Sequence, residues 1–221
     1  MAMTFDEPST GGTTFWSPFD GKLVTKVGEG TEGSVSRTNK NDIVVHEIHK
    51  TAVGGMITGG GLEKKEIAGR KFQEIQIVID GDAMIQIPIM MLGDIAEYLP
   101  SINLSLPVKI GAYKTKKGNN GLNVSQEVDG RWVELKKHYT EWVQDEVTKK
   151  WSTILHNGMP EVTYDADDET WDFGPKEKFL KKEVRMFFDD VVNHLAQQAT
   201  EPAPAPVEAT PVDSADEGLP F

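Results

Sequence analysis

Cysteine is absent from the chain. That excludes a disulfide framework, thiol catalysis and thiolate metal sites, and it fits a reducing compartment. Positive charge is scarce relative to negative: 23 Lys and Arg stand against 35 Asp and Glu, a formal net charge of −12. Taken as a sum, this balance speaks against a polyanionic partner. Long apolar runs are missing too, and nothing approaches the roughly 20 residues that a membrane-spanning helix needs. The start of the chain carries Asp6 and Glu7 where a secretion signal would have a basic start and an apolar run. The expectation is a soluble, cytoplasmic protein.

The distribution of charge alters the first impression. Between Ala199 and Phe221 lie five acids (Glu201, Glu208, Asp213, Asp216, Glu217) and no base, and between Glu161 and Pro175 lie six acids and no base. What remains is 24 acids against 23 bases. A nearly neutral remainder can carry a basic groove. The four prolines of Thr200–Pro211, set among alanines and glutamates, cannot bury enough apolar surface to offset ordering entropy. The chain therefore divides into a folded domain, 1–198, and a disordered acidic Pro/Ala-rich tail, 199–221. A second mobile segment is expected at Gly28–Asn41, which is rich in Gly, Ser, Thr and charge.

From Ile43 to Arg131 apolar residues recur with the period of strands. Phe72, Ile75, Ile77 and Ile79 lead through Asp80-Gly81 into Ile85, Ile87 and Ile89, a strong hairpin signal. Met90–Leu99 switches to helical spacing, ended by Pro100. Leu104–Tyr113 reads as a strand whose Pro107 suggests an edge or a bulge, and Leu122–Val128 with Arg131–Leu135 form a second hairpin around Asp129-Gly130. Tyr139–Leu155 fits either a helix or a hairpin joining two Trp-bearing strands, with the polar Asp145–Lys150 favouring the hairpin. Leu180, Val184, Phe187, Phe188, Val191, Val192 and Leu195 make a wide stripe on a helix spanning Lys176–Gln198. The predicted fold class is mainly β with some α. Strands, a short helix, then strands is the order of an OB-fold, a five-stranded antiparallel barrel, here with a C-terminal amphipathic helix.

Signatures of catalysis fail on inspection. Gly54, Gly55, Gly59, Gly60 and Gly61 precede Leu62-Glu63-Lys64, which lacks the Gly-Lys-Ser/Thr ending of a phosphate loop, so a flexible turn between strands is predicted. His46 and His49 are offset by three, which in a strand sets them on opposite faces, and no metal is assigned. Asp165, Asp167 and Asp168 lack the glycine and the terminal glutamate of a calcium loop. No catalytic residue, metal or cofactor is expected.

Basic and aromatic residues do coincide. Lys64, Lys65, Arg70, Lys71 and Phe72 form one group, Tyr113 with Lys114, Lys116 and Lys117 a second, and Arg131 and Trp132 with Lys136 and Lys137 a third. Phe15, Trp16 and Phe19 could be a further platform or an N-terminal clasp. Single-stranded nucleic acid requires both types, cations for phosphates and flat side chains for unpaired bases.

The last six residues are Asp216-Glu217-Gly218-Leu219-Pro220-Phe221. They resemble the acidic tip of bacterial and phage single-stranded DNA-binding proteins, which end in acids, an aliphatic residue, proline and a terminal phenylalanine. The acidic run here is broken by Gly218, and the region before the tail does not resemble the bacterial tetramer-forming domain, so the likeness points to a phage member. It implies an OB-fold that holds single-stranded DNA and a tip that docks replication, recombination or repair proteins, which would place the protein in a host cytoplasm. Asp213, Asp216, Glu217, Leu219, Pro220 and Phe221 are the partner-binding residues so implied. An adaptor that binds proteins without touching nucleic acid is the alternative.

Overall fold

The computed structural model describes residues 12–67 and 69–200. Hairpins dominate the fold. Strands β1 (Thr14–Phe19) and β2 (Lys22–Val27) meet at Asp20-Gly21, β3 (Val35–Thr38) and β4 (Val44–Lys50) pair next, and β5 (Ala52–Gly55) leads to β6 (Ile57–Ile67). Strand β7 (Arg70–Ile79) turns at Asp80-Gly81 into β8 (Ala83–Pro88). A short helix α1 (Leu92–Ala96) follows, then β9 (Val108–Lys114), β10 (Asn120–Val128) and β11 (Arg131–Glu134). Two small hairpins, β12 (Thr140–Gln144) with β13 (Trp151–Leu155) and β14 (Thr163–Asp165) with β15 (Thr170–Asp172), precede the helix α2 (Gly174–Thr200). At Asp20-Gly21 and Asp129-Gly130 both residues have positive φ, which lets a two-residue turn follow the twist of its strands, and the three-residue turn Asp80–Asp82 opens with the same kind of pair.

The five-stranded barrel of an OB-fold does not form. Among the described residues there are fifteen strands in four sheets, and no sheet closes on itself. The largest sheet has the order β3-β4-β2-β1-β8-β7-β6 and the next β11-β10-β9-β5. The expected barrel began at Ile43, whereas β1 and β2 precede it and join the large sheet through a parallel pairing, Thr14 to Ala83 and Trp16 to Ile85. Part of the segment expected to be mobile, Gly28–Asn41, is strand β3, paired with β4. The Tyr139–Leu155 alternatives resolve to a hairpin.

The glycines expected in a flexible turn lie in strands instead, Gly54 and Gly55 in β5 and Gly59, Gly60 and Gly61 in β6. Gly60 has φ +147°, and a Cβ there would collide with the Phe188 ring and the Gln76 carbonyl oxygen. Glycine at this point lets α2 lie directly on the β6 backbone. The segment β4–β5–β6 runs from the large sheet into the four-stranded one and back, with the Thr51 carbonyl between β4 and β5 accepting the Ala112 N–H at 3.0 Å.

Ile75, Ile77, Ile79, Ile85 and Ile87 present one face of the β7–β8 hairpin to a core shared with Leu23, Val108, Ile110, Leu122 and Val124. Each side chain of this size stabilises by about 1.5–3 kcal/mol when fully buried. Helix α2 adds Leu180, Val184, Phe187, Phe188 and Val191. Glu97, buried just after α1, fastens this end of the molecule. Its carboxylate accepts Thr140 Oγ1 at 2.5 Å and pairs with Lys137 at 3.2 Å and Lys176 at 3.6 Å. The helix ends at Thr200, two residues into the expected tail, and the rest of that tail, with Asp213, Asp216, Glu217, Leu219, Pro220 and Phe221, lies outside the described residues. No helix among the described residues is long and apolar enough to cross a membrane.

Candidate nucleic-acid interface

The four-stranded sheet buries one face, carrying Val53, Val108, Ile110, Leu122 and Val124, and alternation turns the next residues outward. The register sets Tyr113 against Gly121, Gly111 between Ala52 and Asn123, and Lys109 between Gly54 and Ser125. Trp132 stands against Glu127, and Glu134 against Ser125. Two aromatic rings therefore share the outward face, Tyr113 46 % and Trp132 41 % exposed. The phenol lies across Gly121, where an added Cβ would come within 2.5 Å of Tyr113 Cζ, so glycine is what allows the ring to lie down on the strand. Lys109 Nζ sits 4.0 Å from the centroid of the Trp132 ring, a cation–π contact that holds an ammonium on the indole. Gly111 is covered by the Asn123 side chain as Gly121 is by Tyr113, and Glu127 and Glu134 share this face with the two rings.

The predicted site residues divide among several places. Lys114 turns to the other side and pairs with Asp20 at 2.5 Å, a contact that lowers the Asp20 pKa first through the hydrogen bond and then through charge. Lys116 and Lys117 occupy an exposed turn closed by Thr115 and Asn119, whose backbones bond at 2.8 Å, so the basic loop at the Tyr113 end is ordered. Arg131 alternates to the face opposite Trp132. The β6–β7 hairpin end carries the remaining group. Register puts Lys65 beside Phe72, which is 48 % exposed, and Lys64 beside Gln73 on the reverse face with Lys71. Lys65 is occupied by Glu74 at 2.5 Å. Lys64, Lys65, Glu66, Lys71, Phe72 and Gln73 line a shallow hollow here. The structure thus unites Tyr113 with Trp132, and leaves Lys64, Lys65, Arg70, Lys71 and Phe72 as a separate group.

Trp16 is core, with Lys50 Nζ 4.8 Å from its ring centre, whereas Phe15 and Phe19 are exposed and Arg37 stacks over Phe19 at 4.5 Å. Arg37 also grips the buried Glu47 with two bonds, 2.8 Å from Nε and 2.7 Å from Nη2, and His49 Nε2 lies 3.3 Å away. Burial alone would raise the Glu47 pKa, but the Arg37 and His49 contacts outweigh it and hold the carboxyl below its ordinary value. His46 lies on the other face, bonded to Ser36 at 2.8 Å. The Asp165 carboxylate accepts the N–H groups of Asp167 at 2.9 Å and Asp168 at 3.3 Å, so it is engaged in a turn. Among the described residues no group of three His, Asp or Glu side chains could hold a metal ion.

Protein-family models, curated proteins and solved structures all fail to match this chain. Sequence reasoning missed Lys109, whose signal is visible only with the register: a lysine in an apolar strand, alternating outward with Tyr113. It also passed over Trp142 and Trp151, 63 % and 61 % exposed, which alternation places on one face of the β12–β13 hairpin.

Proposed function

We propose that the protein binds single-stranded DNA without sequence preference and without a chemical step, using the outward face of the four-stranded sheet. The observation that carries this reading is Tyr113 and Trp132 lying half exposed on one sheet face, with the Lys109 ammonium against the indole. Unpaired bases offer flat surfaces that stack on such rings at about 1–3 kcal/mol each. From the Tyr113 row to the Trp132 row is six residues, or roughly 20 Å at strand rise. A strand of several nucleotides can lie along it, with Lys116 and Lys117 meeting phosphates at the Tyr113 end and Lys109 meeting them near the indole. Bases inside a duplex are already stacked and cannot reach the rings, so single strands are preferred. Partner recruitment through Asp213–Phe221 belongs to the same proposal and rests on the resemblance of that segment.

The test is an anisotropy titration of labelled oligo-dT against the wild type, Tyr113→Ala, Trp132→Ala and the double variant. Each single substitution is expected to weaken binding about 5- to 150-fold, the equivalent of one lost stack. Wild-type affinity in the double variant would remove this face from the account.

A further inference from the structure

We infer that α2 supplies the second bank of a strip, begun on the β6–β7 hairpin, that binds the phosphates of single-stranded DNA. The inference rests on the single-stranded DNA reading above and adds basic residues of a helix for which the sequence reading named only the apolar stripe.

The join is a hydrogen bond across 108 positions of sequence: Lys181 Nζ donates to Gln73 Oε1 at 2.7 Å. Gln73 is the cross-strand neighbour of Lys64, and Lys71 lies two residues further along the same face. On the helix, Lys178, Lys182 and Arg185 follow at i, i+4 and i+7, so they share one side about 10 Å long next to Lys181. These three are exposed and, among the described residues, have no ion pair or hydrogen bond. They flank a shallow hollow floored by Pro175 and Phe179. Lys64, Lys71, Lys178, Lys181, Lys182 and Arg185 thus form a run of six cations, against which the nearby acids are Glu66, opposite Lys71, Glu177, which pairs with Lys181 at 2.5 Å, and Asp189, one turn beyond Arg185. On a chain of net charge −12 such a run is a local reversal of sign, and its occupant must be anionic.

A polyanion with evenly repeated charge fits a strip better than an acidic peptide does. The acidic segment Asp213–Phe221 ends in an apolar Leu-Pro-Phe, which needs an enclosed apolar pocket, and the hollow offers only the edge of Phe179 and Pro175. A phosphate backbone needs no pocket. It needs unpaired cations in a row, which Lys178, Lys182 and Arg185 provide.

The experiment compares the full chain with its Lys178→Gln/Lys182→Gln/Arg185→Gln variant by titrating oligo-dT across a range of salt concentrations. Every substituted side chain is exposed, so the variant should keep its fold, checked by circular dichroism. Each phosphate contact to a single strand contributes about 0.7 to the slope of log K against log salt. The variant is expected to lose about 2 from that slope and to bind more than tenfold more weakly at low salt. A Lys149→Gln/Lys150→Gln variant on the β12–β13 turn should leave the slope unchanged. An unaltered slope and affinity in the α2 variant, while Trp132→Ala still weakens binding, would overturn the strip and spare the sheet-face reading. Both measurements are repeated with Asp213→Asn/Asp216→Asn/Glu217→Gln present. If the α2 effect vanishes in that background, the helix holds the acidic segment instead and the proposal is wrong. A wild type that does not bind at all defeats both readings.

Discussion

Replacing Gly60 with alanine should destabilise the protein more than its size suggests. The position has φ +147°, where a side chain is strained, and that strain costs roughly 1–3 kcal/mol. The new Cβ would also come 2.6 Å from Phe188 Cζ, closer still to Cε1, and against the Gln76 carbonyl oxygen. Overpacking of this kind costs about 1–3 kcal/mol more. The sum centres on roughly 4 kcal/mol, and a chain of this size loses about 2–4 °C of Tm per kcal/mol, so calorimetry should record a fall of roughly 8–16 °C. The neighbour Gly61 is the control, because its nearest foreign atom is Glu63 Oε1 at 3.6 Å and its φ is ordinary. Gly61→Ala should move Tm by no more than about 2 °C. A cycle with Phe188→Ala, which alone should cost about 3–5 kcal/mol, isolates the clash. The double variant should be less destabilised than the sum of the singles by about 1–3 kcal/mol, since the ring that met the Cβ is gone. Equal Tm values for Gly60→Ala and Gly61→Ala, or strict additivity, would refute the close docking of α2 on β6.

Glu47 should make stability pH-dependent. Its folded pKa lies below the ordinary 4.5, so its contribution is complete above that value and is lost as pH falls through the folded pKa. Denaturant titrations at pH 6 and pH 3 should therefore show a smaller drop for Glu47→Gln than for the wild type, and an equal drop would contradict the Arg37–Glu47–His49 arrangement. Truncating Glu97 to alanine should cost about 2–4 kcal/mol in urea unfolding, because Thr140, Lys137 and Lys176 lose their shared acceptor. A cost below 0.5 kcal/mol would show that cluster to be incidental. Lys109→Ala should weaken oligo-dT binding severalfold, whereas Lys114→Ala, whose ammonium is engaged by Asp20 off the sheet face, should change it less than twofold. The reverse order in a fluorescence titration would contradict the assignment of the face.

Local pairing was legible in the sequence and distant pairing was not. Asp80-Gly81 and Asp129-Gly130 sit between alternating strands, and both hairpins are present. Asp20-Gly21 carries the same signal, but Pro18 interrupts the first strand and Leu23, Val24 and Thr25 are all buried, which hides the alternation of the second. The parallel contact of β1 with β8 joins residues some seventy positions apart, and nothing local marks it. A barrel was expected because the strands that widen the sheet were not recognised. The interface follows the same rule. Tyr113 and Trp132 stand out by residue type, but their common face and the lysine between them depend on register. The strip on α2 depends on a contact between Gln73 and Lys181, which periodicity within a helix cannot reveal.

A preference for unpaired strands would show in a single comparison. The full chain is titrated at low salt with oligo-dT and with a duplex of equal length, following quenching of the exposed tryptophans. Saturable quenching by oligo-dT, with the duplex at least tenfold weaker and both weakening as salt rises, is the predicted result. No change with oligo-dT, or equal affinity for the duplex, would contradict it.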